Sequence, residues 1–278
     1  MKTISSKCIA QLLTATVLVT LGSSVLAAST WTYSGGPGTG TCASTASSGL
    51  AVGNTLGCGT LAGVTLDAKA FSTSNGATSS SGITFAAAAL YNWSGGLGAV
   101  NSSESASTTG PHATDNRYGT DAILLHFTDA VSLTNVGIGW SGTSHTVSGL
   151  SGNQDSDFSI LAYTGSATGS STILGKTLDG TASSTLLTTG WQSVGNYGNK
   201  ADNTNVAVSS TLYSSYWLIS AYNGAFGGTG FDAGNDYFKL ASVTAQAQTN
   251  VPEPGSIALL GLGLVGLLVA RHRTQKAA

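Results

Sequence analysis

Two short acidic turns carry the residue types and spacing in this sequence that best suit binding chemistry. Their oxygen-bearing side chains are Asn153, Asp155 and Asp157 in the first turn and Asp232, Asn235 and Asp236 in the second. Calcium binds about six to eight oxygen ligands, so each turn supplies only part of a set. The first turn is not an EF-hand loop, because Phe158 stands where that loop carries its glycine. Solvated turns with Asx caps explain the same residues, and we assign no metal ligand from sequence.

Nucleophilic catalysis has little support in the sequence. A hydrolase could in principle combine His112, His126 or His145 with one of the many serines and aspartates. The chain has, however, neither a G-x-S-x-G elbow nor an H-E-x-x-H motif. A formal G-x-G-x-x-G match at residues 261–266 lies inside an apolar run and lacks the preceding strand of a dinucleotide site. We therefore predict no catalytic residue and no cofactor, and we expect the protein not to be an enzyme.

Three tryptophans leave two interpretations open. Trp140, Trp191 and Trp217 could stack on sugar rings, because an aromatic side chain combines an apolar face with a polar tip. They could equally pack in a core. The alternation of Val136, Ile138 and Trp140 with glycines favours core packing in that segment.

The elements that must position these residues are predicted to be strands. Glycine is abundant, with 38 residues in 278, and the chain is rich in serine and threonine, a composition that opposes helices. Short apolar or alternating runs recur at residues 122–127, 136–140, 158–163, 216–222 and 237–243. We predict an all-β fold, an antiparallel sandwich or jelly-roll-like body, with one helix at each end of the chain.

The N-terminal end has the pattern of a secretory signal peptide. Lys2 and Lys7 precede an apolar stretch over residues 8–21, and small residues follow. We expect residues 1–27 to be removed after export by Sec-type machinery, with cleavage after Ala27 or Ala28. The exported body then retains two cysteines, Cys42 and Cys58, for which we expect a disulfide because the compartment is oxidising. Two independent buried thiols are the alternative.

The C-terminal end combines a proline turn, a short apolar run and a basic stop. The run spans residues 257–270, and at about 1.5 Å per residue it reaches ~21 Å, against ~30 Å for a hydrocarbon core. Such a segment is a poor permanent anchor. By the positive-inside bias the basic residues stay cytoplasmic and the proline turn lies outside. A plain anchor and a buried core helix are the alternatives.

This arrangement resembles a PEP-CTERM sorting tail, spanning residues 252–278. The resemblance implies a sorting motif of Pro252, Glu253 and Pro254 and a basic stop of Arg271 and Arg273. It also implies an exosortase-type protease as partner and a transient intermediate in the bacterial inner membrane. The final location would be the cell surface or the extracellular space.

The body between these ends is predicted to be one β-rich surface domain over residues 28–245, with a linker at 246–251. Its sequence resembles an exosortase-dependent surface protein family, in stretches at 121–140, 155–165, 190–197, 216–226 and 232–240. This resemblance implies an exported surface protein of exopolysaccharide-producing bacteria. It supplies no catalytic residue.

The charge of the body excludes one class of partner. Five of the ten basic residues lie in the two targeting ends, whereas eleven of the twelve acidic residues lie in the body, which gives the body a net charge of −6. Nucleic-acid binding needs a basic face and is not expected. We therefore expect a non-enzymatic surface or matrix protein, associated with exopolysaccharide, biofilm or cell aggregation. An exported carbohydrate-binding module or carbohydrate-active hydrolase is the alternative, with extracellular polysaccharide as its partner.

Overall fold

The computed structural model describes residues 27–33, 42, 50–73, 83–102, 104, 112–146, 153–178, 185–232, 234–248 and 261–267. Strands dominate these ranges. They are β1 (Ser29–Thr32), β2 (Leu50–Gly53), β3 (Thr55–Leu61), β4 (Val64–Ser72), β5 (Ala86–Ala87), β6 (Ala89–Trp93), β7 (Gly96–Val100), β8 (Thr114–Asp115), β9 (Asp121–Ser141), β10 (Phe158–Tyr163), β11 (Trp191–Tyr197), β12 (Thr204–Ala207), β13 (Ser214–Ala221) and β14 (Tyr237–Ala247). A short helix, α1, spans Thr185–Thr188, and 3-10 turns span Gly169–Thr172 and Gly224–Phe226.

The strands form one continuous sheet. Its main path runs β11-β10-β13-β9-β14-β7-β6-β2, and the remaining strands pair beside this path. The ladders between the named strands are antiparallel. The predicted all-β, antiparallel class is therefore confirmed, while the choice between a sandwich and a jelly roll stays a prediction.

Strand β9 joins two halves of the sheet because it is 21 residues long and changes partners along its length. Its first part lies between β4 and β13, where Ile123 is opposite Ile219. Its second part lies between β12 and β14, where Val136 is opposite Val243. We call these the first and second half-sheets. Strands β10 and β11 belong to the first, and β1, β6 and β7 belong to the second.

The two half-sheets share one apolar core. Phe158 of β10 packs on Phe238 of β14 with ring centroids 5.3 Å apart, and Trp31 of β1 meets Phe127 of β9 edge-on at 5.4 Å. All four side chains are at most 1% exposed. Fully burying a large apolar side chain contributes about 1.5–3 kcal/mol, so these contacts hold the two half-sheets together.

A smaller core lies on the other side of the first half-sheet. Alternate residues of a strand point to opposite faces, so Leu124 of β9 and Leu218 of β13 project away from the shared core. They pack with Ile173 and Leu178 of the segment that follows β10, and with Trp191 of β11. This segment therefore covers the outer face of the first half-sheet.

Residues Leu26–Gln248 form one compact unit. Outside that unit, residues 261–267 are helical and exposed. They fall within the apolar run predicted at 257–270, whose other residues lie outside the described ranges. Within the part of the chain that the structure describes, no helix is long and apolar enough to cross a bilayer.

Candidate functional site

The predicted processing sites lie at the two ends of the compact unit. Ala27 and Ala28 are exposed and directly precede β1, so cleavage there would leave that strand intact. The sorting motif, residues 252–254, and the basic stop, residues 271–273, lie outside the described residues. Their assignment as sites stays a prediction.

The predicted disulfide between Cys42 and Cys58 is confirmed. Both cysteines are buried at 1% exposure. Cys58 lies on β3, and the main-chain N–H of Cys42 donates to the carbonyl of Thr32 at the end of β1. The bridge therefore connects the chain following β1 with the edge strand β3.

The three histidines of the body lie apart from one another and contact aromatic rings. His112 stacks between Tyr91 and Trp93, and His126 stacks on Tyr216. His145 stacks on Trp140, and its Nε2 lies 2.5 Å from the Oδ2 of Asp202. These contacts place each ring against a neighbouring side chain.

The carboxylate of Asp202 connects His145 to a serine in an order unlike that of a catalytic triad. Ser141 donates to the Oδ1 of Asp202, so the carboxylate lies between the hydroxyl and the imidazole. In a triad the imidazole takes the middle position and removes the proton of the hydroxyl. Ser141 is also 0% exposed. The arrangement fixes the turn after β9 against the segment that carries Asp202.

The structure separates the three tryptophans into two groups. Trp217 is 0% exposed and its Nε1 donates to the carbonyls of Val131 and Ser214. Trp191 is 2% exposed and its Nε1 donates to the carbonyl of Thr172. Both are core residues with satisfied donors, so sugar stacking does not apply to them. Trp140 is partly exposed.

Trp140 belongs to a row of rings that we call the aromatic band. Its members are Tyr91, Trp93, His112, Lys239, Trp140 and His145. The Nζ of Lys239 lies 4.8 Å from the ring centroid of Trp93 and 4.7 Å from that of Trp140. Burial lowers the pKa of Lys239 to about 8. Attraction between a cation and two ring faces holds the two tryptophans side by side across strands β6, β9 and β14.

One acidic group is fully satisfied within the fold. We call it the buried acid cluster: Glu104, Asp115 and Asp121, whose carboxylate oxygens lie within 4.8 Å of one another. Asp121 accepts from the side chain of Asn101 and from the main-chain N–H of Asp115. Burial raises the pKa of Asp115 and Asp121 well above the ordinary range. Retained protons and internal hydrogen bonds therefore account for this cluster.

The second acidic group forms where the two acidic turns of the sequence meet. We call it the carboxylate pocket, and its members are Asp155, Asp157, Asp232 and Asn235. Oxygens of its three carboxylates lie within 4.8 Å of one another. Asp155 and Asp157 directly precede β10, and Asn235 precedes β14. A parallel bridge between Asp155 and Asp236 aligns these two strand starts.

Main-chain hydrogen bonds fix the pocket at the junction of the two half-sheets. The N–H of Asp155 donates to the carbonyl of Asn235 at 3.1 Å, and the N–H of Tyr237 donates to the carbonyl of Asp155 at 2.9 Å. Asp236 lies behind the pocket at 0% exposure, where its carboxylate accepts from the N–H of Asp157 and from the side chain of Asn116. Asp236 therefore orients the pocket.

Among the described residues, no N–H or hydroxyl group donates to three buried oxygen atoms of the carboxylate pocket. They are Asp155 Oδ1, Asp157 Oδ2 and Asn235 Oδ1. Asp157 is 0% exposed, and its other oxygen accepts from the N–H of Asn199. The amide nitrogen of Asn235 donates to Asp232 and to the carbonyl of Asn153, which leaves its oxygen free to accept. An unpaired buried acceptor costs about 1–3 kcal/mol, so this arrangement calls for a donor or a cation.

Burial also raises the pKa of the carboxylates around the pocket. The pKa of Asp155 and of Asp157 is raised mainly by burial, and neighbouring carboxylates add to the effect. For Asp236 the pKa rises to about 10, for the same two reasons. Among the described residues, the ion pairs are His126 with Asp67 and His145 with Asp202. Neither pair includes a carboxylate of the pocket, so in this part of the chain the pocket has no cationic partner.

The sequence pattern predicts neither that the two acidic turns meet nor that most members of the aromatic band lie together. The turns are far apart in sequence, and no local pattern indicates which strand starts meet. Tyr91 and Trp93 are separated by one residue on β6, and this spacing is a pattern that predicts two aromatic side chains on the same face of a strand. Lys239 has no sequence signal for its position between two rings.

The fold and the two chain ends define a β-rich body that carries a C-terminal sorting segment. A family model for the PEP-CTERM protein-sorting motif matches residues 250–273. No curated protein matches the chain. The chain therefore carries a PEP-CTERM sorting motif, which indicates an exported protein that exosortase processes in the membrane on its way toward the cell surface.

Proposed function

We propose that this protein is a non-enzymatic component of the cell surface or extracellular matrix that acts in exopolysaccharide assembly, biofilm formation or cell aggregation. The PEP-CTERM motif at residues 250–273 carries the proposal, because it assigns the route of delivery. The delivered part is an antiparallel, β-rich body that contains a disulfide, as suits an oxidising compartment. Charged residues make up only 8% of the whole chain, so hydroxyl and amide groups supply most of its polar surface.

The tail is proposed to act as a temporary membrane segment. Within residues 261–267 the apolar side chains are exposed, with Leu262 at 70% and Leu267 at 69%. Such side chains favour a lipid environment by about 0.3–0.6 kcal/mol each. Removal of the tail by an exosortase would release the body outward.

Mass and location of the native protein test the route. Intact mass and cell fractionation are measured in wild-type cells and in cells that lack the exosortase. We expect a mature form that begins near Ala28 and ends near Pro254, released only from wild-type cells. An Ala-Ala-Ala replacement of Pro252, Glu253 and Pro254 should be retained like the form in the mutant cells, whereas Gln248→Ala should be released normally. An unchanged C-terminus in the inner membrane of both strains would contradict the proposal.

Carbohydrate binding is a second candidate function, favoured by the aromatic band. Two partly exposed tryptophans, Trp93 and Trp140, lie on either side of the Lys239 ammonium. Stacked neighbours cover the ring faces within the row, so a sugar would contact the partly exposed edges of the two tryptophans, which combine apolar surface with a polar tip. The band therefore suits a polysaccharide chain that lies along these edges.

Electrophoresis in gels containing purified exopolysaccharide tests this second function. We expect the full-length chain to be retarded, and Trp140→Ala to lose most of the retardation. Tyr213→Ala serves as the matched control, because Tyr213 is 41% exposed and lies outside the band. Equal migration of the wild type with and without polysaccharide would exclude the function.

A further inference from the structure

We propose that the carboxylate pocket binds a calcium ion. This inference concerns the folded body and does not depend on the sorting route. The fold places the two acidic turns side by side and brings three carboxylates within 4.8 Å of one another, with Asn235 hydrogen-bonded to Asp232 beside them, where each turn alone offers fewer. Carboxylate and amide oxygens are the ligands that calcium prefers.

The distances within the pocket fit this ion. Calcium–oxygen distances are about 2.3–2.6 Å, so two ligands on opposite sides of the ion are about 5 Å apart. The carboxylate oxygens of Asp155, Asp157 and Asp232 lie within 4.8 Å of one another. Magnesium demands shorter distances of about 2.0–2.1 Å in a nearly octahedral arrangement, and it usually binds through one or two carboxylates. A group of three carboxylates favours calcium.

The unpaired oxygens point to a ligand independently of the cluster itself. Asp157 is 0% exposed, yet within the part of the chain that the structure describes no N–H or hydroxyl group donates to its Oδ2, and the same holds for the buried Asp155 Oδ1 and Asn235 Oδ1. The buried acid cluster is equally acidic, but no oxygen of its three carboxyls is among these unpaired atoms. A cation bound among the three carboxylates would supply a partner to the buried oxygens of Asp155 and Asp157. The exposed side chain of Asp232 leaves an entry for the ion and for water ligands.

Binding at this position would strengthen the junction of the two half-sheets. Asp155 and Asp157 belong to the start of β10, whereas Asn235 belongs to the start of β14. An ion bound to both strand starts connects them through coordination bonds. Extracellular modules bind calcium with a Kd on the order of 10⁻⁴ to 10⁻³ M, a range suited to an exported protein.

Calorimetry and thermal unfolding of the full-length chain test the proposal. The chain is purified in a mild detergent, stripped with EDTA, dialysed, and titrated with CaCl₂ or MgCl₂. We expect one calcium ion per chain and a rise in Tm of about 3–6 °C at ten times the Kd. Absence of calcium binding at millimolar concentration would overturn the proposal, and an equal response to magnesium would overturn the assignment to calcium.

Two variants separate ion binding from a structural role. Asp157→Asn keeps the oxygen that accepts from Asn199 and replaces the unpaired oxygen with an N–H₂ group. We expect at least tenfold weaker calcium binding, with a Tm in EDTA equal to or above that of the wild type because a buried charge is removed. Asp232→Asn changes an exposed residue and should weaken binding with no loss of folding. A lower Tm in EDTA with an unchanged calcium response would contradict the role assigned to Asp157.

Control variants use the other acids of the body. Asp129→Asn removes an exposed carboxylate outside the pocket, and Asp115→Asn changes the buried acid cluster. Both should retain the calcium response of the wild type. Equal loss of the response in Asp129→Asn would mean that general surface charge binds the ion, and would overturn the site.

Discussion

The main-chain N–H of Asp157 donates to the Oδ1 of Asp236 at 2.8 Å, although 79 residues separate them in sequence. This bond connects the start of β10 in the first half-sheet with the start of β14 in the second. It lies directly behind the carboxylate pocket. Both residues are 0% exposed. A hydrogen bond between uncharged groups contributes about 0.5–1.5 kcal/mol net, and breaking a buried one leaves an unpaired group, so this bond is a local constraint on the junction.

Stability should fall as the pH rises through the neutral range. Burial raises the pKa of Asp236 to about 10. Burial also raises the pKa of Asp115 and of Asp121 well above the ordinary value of an aspartate. The folded chain therefore keeps protons that the unfolded chain releases above about pH 4. By linkage, unfolding free energy decreases with pH, by about 1.4 kcal/mol per pH unit for each such proton.

Urea unfolding in EDTA measures this dependence. We expect a lower midpoint at pH 7.5 than at pH 5. Burial lowers the pKa of His112, so this residue makes the unfolding free energy rise with pH. Its effect concerns a single proton, whereas several buried carboxyls act in the other direction. Asp115→Asn should flatten the dependence. A midpoint that rises with pH would show that the buried acids are ionised in the folded state.

Replacing Trp217 with alanine should destabilise the protein strongly. Trp217 is 0% exposed in the shared core and donates to two main-chain carbonyls. Removing a buried aromatic side chain costs about 3–5 kcal/mol, because it leaves a cavity and here also unpaired acceptors. Chemical denaturation measures the loss. Tyr213→Ala, at an exposed position, should change the unfolding free energy by no more than about 0.5 kcal/mol.

Gly142→Ala should disturb the segment that carries Asp155. A Cβ at residue 142 would overlap the main-chain carbonyl oxygen of Asp155, which cannot move without breaking the bonds at the junction. We expect a loss of about 1–3 kcal/mol, the usual cost of overpacking. The control is Gly57→Ala, where the nearest atom to an added Cβ is Asp67 Oδ1 at an ordinary 3.5 Å. Similar stability of the two variants would contradict the tight contact at Gly142.

Loss of the disulfide should cost about 3 kcal/mol, since the bridge closes a loop between residues 16 apart and thereby restricts the unfolded chain. A double variant, Cys42→Ala with Cys58→Ala, is compared with the wild type by urea unfolding of the exported form. Cys8→Ala lies in the predicted signal peptide and should leave the exported form unchanged. An unaltered midpoint in the double variant would show that the bridge does not stabilise the fold.

Much of the fold class could be predicted from local pattern. The runs at 122–127, 158–163 and 237–243 all lie in strands, because apolar and β-branched residues between glycine-rich turns favour extended chain. The length of β9 could not be predicted in the same way. Its two apolar runs read as separate strands, since Thr128 and Asp129 between them are exposed and polar, yet the strand continues through them.

The tryptophans show that a local sequence pattern does not predict which aromatic side chains are exposed. Trp140 alternates with small residues as a core strand would, and it is partly exposed, whereas Trp191 and Trp217 are buried. Exposure depends on which elements cover a face. The segment after β10 covers Trp191, and the second half-sheet covers Trp217.

The sequence by itself determined that this protein carries a sorting motif, because such a motif is a short linear segment that needs no fold to be recognised. It also determined the strand class, since alternation and turn residues act locally. Only the tertiary structure decided which acids meet. The carboxylate pocket exists because β10 and β14 begin side by side, and that arrangement follows from strand order, which depends on packing across the whole core rather than on any local stretch of sequence.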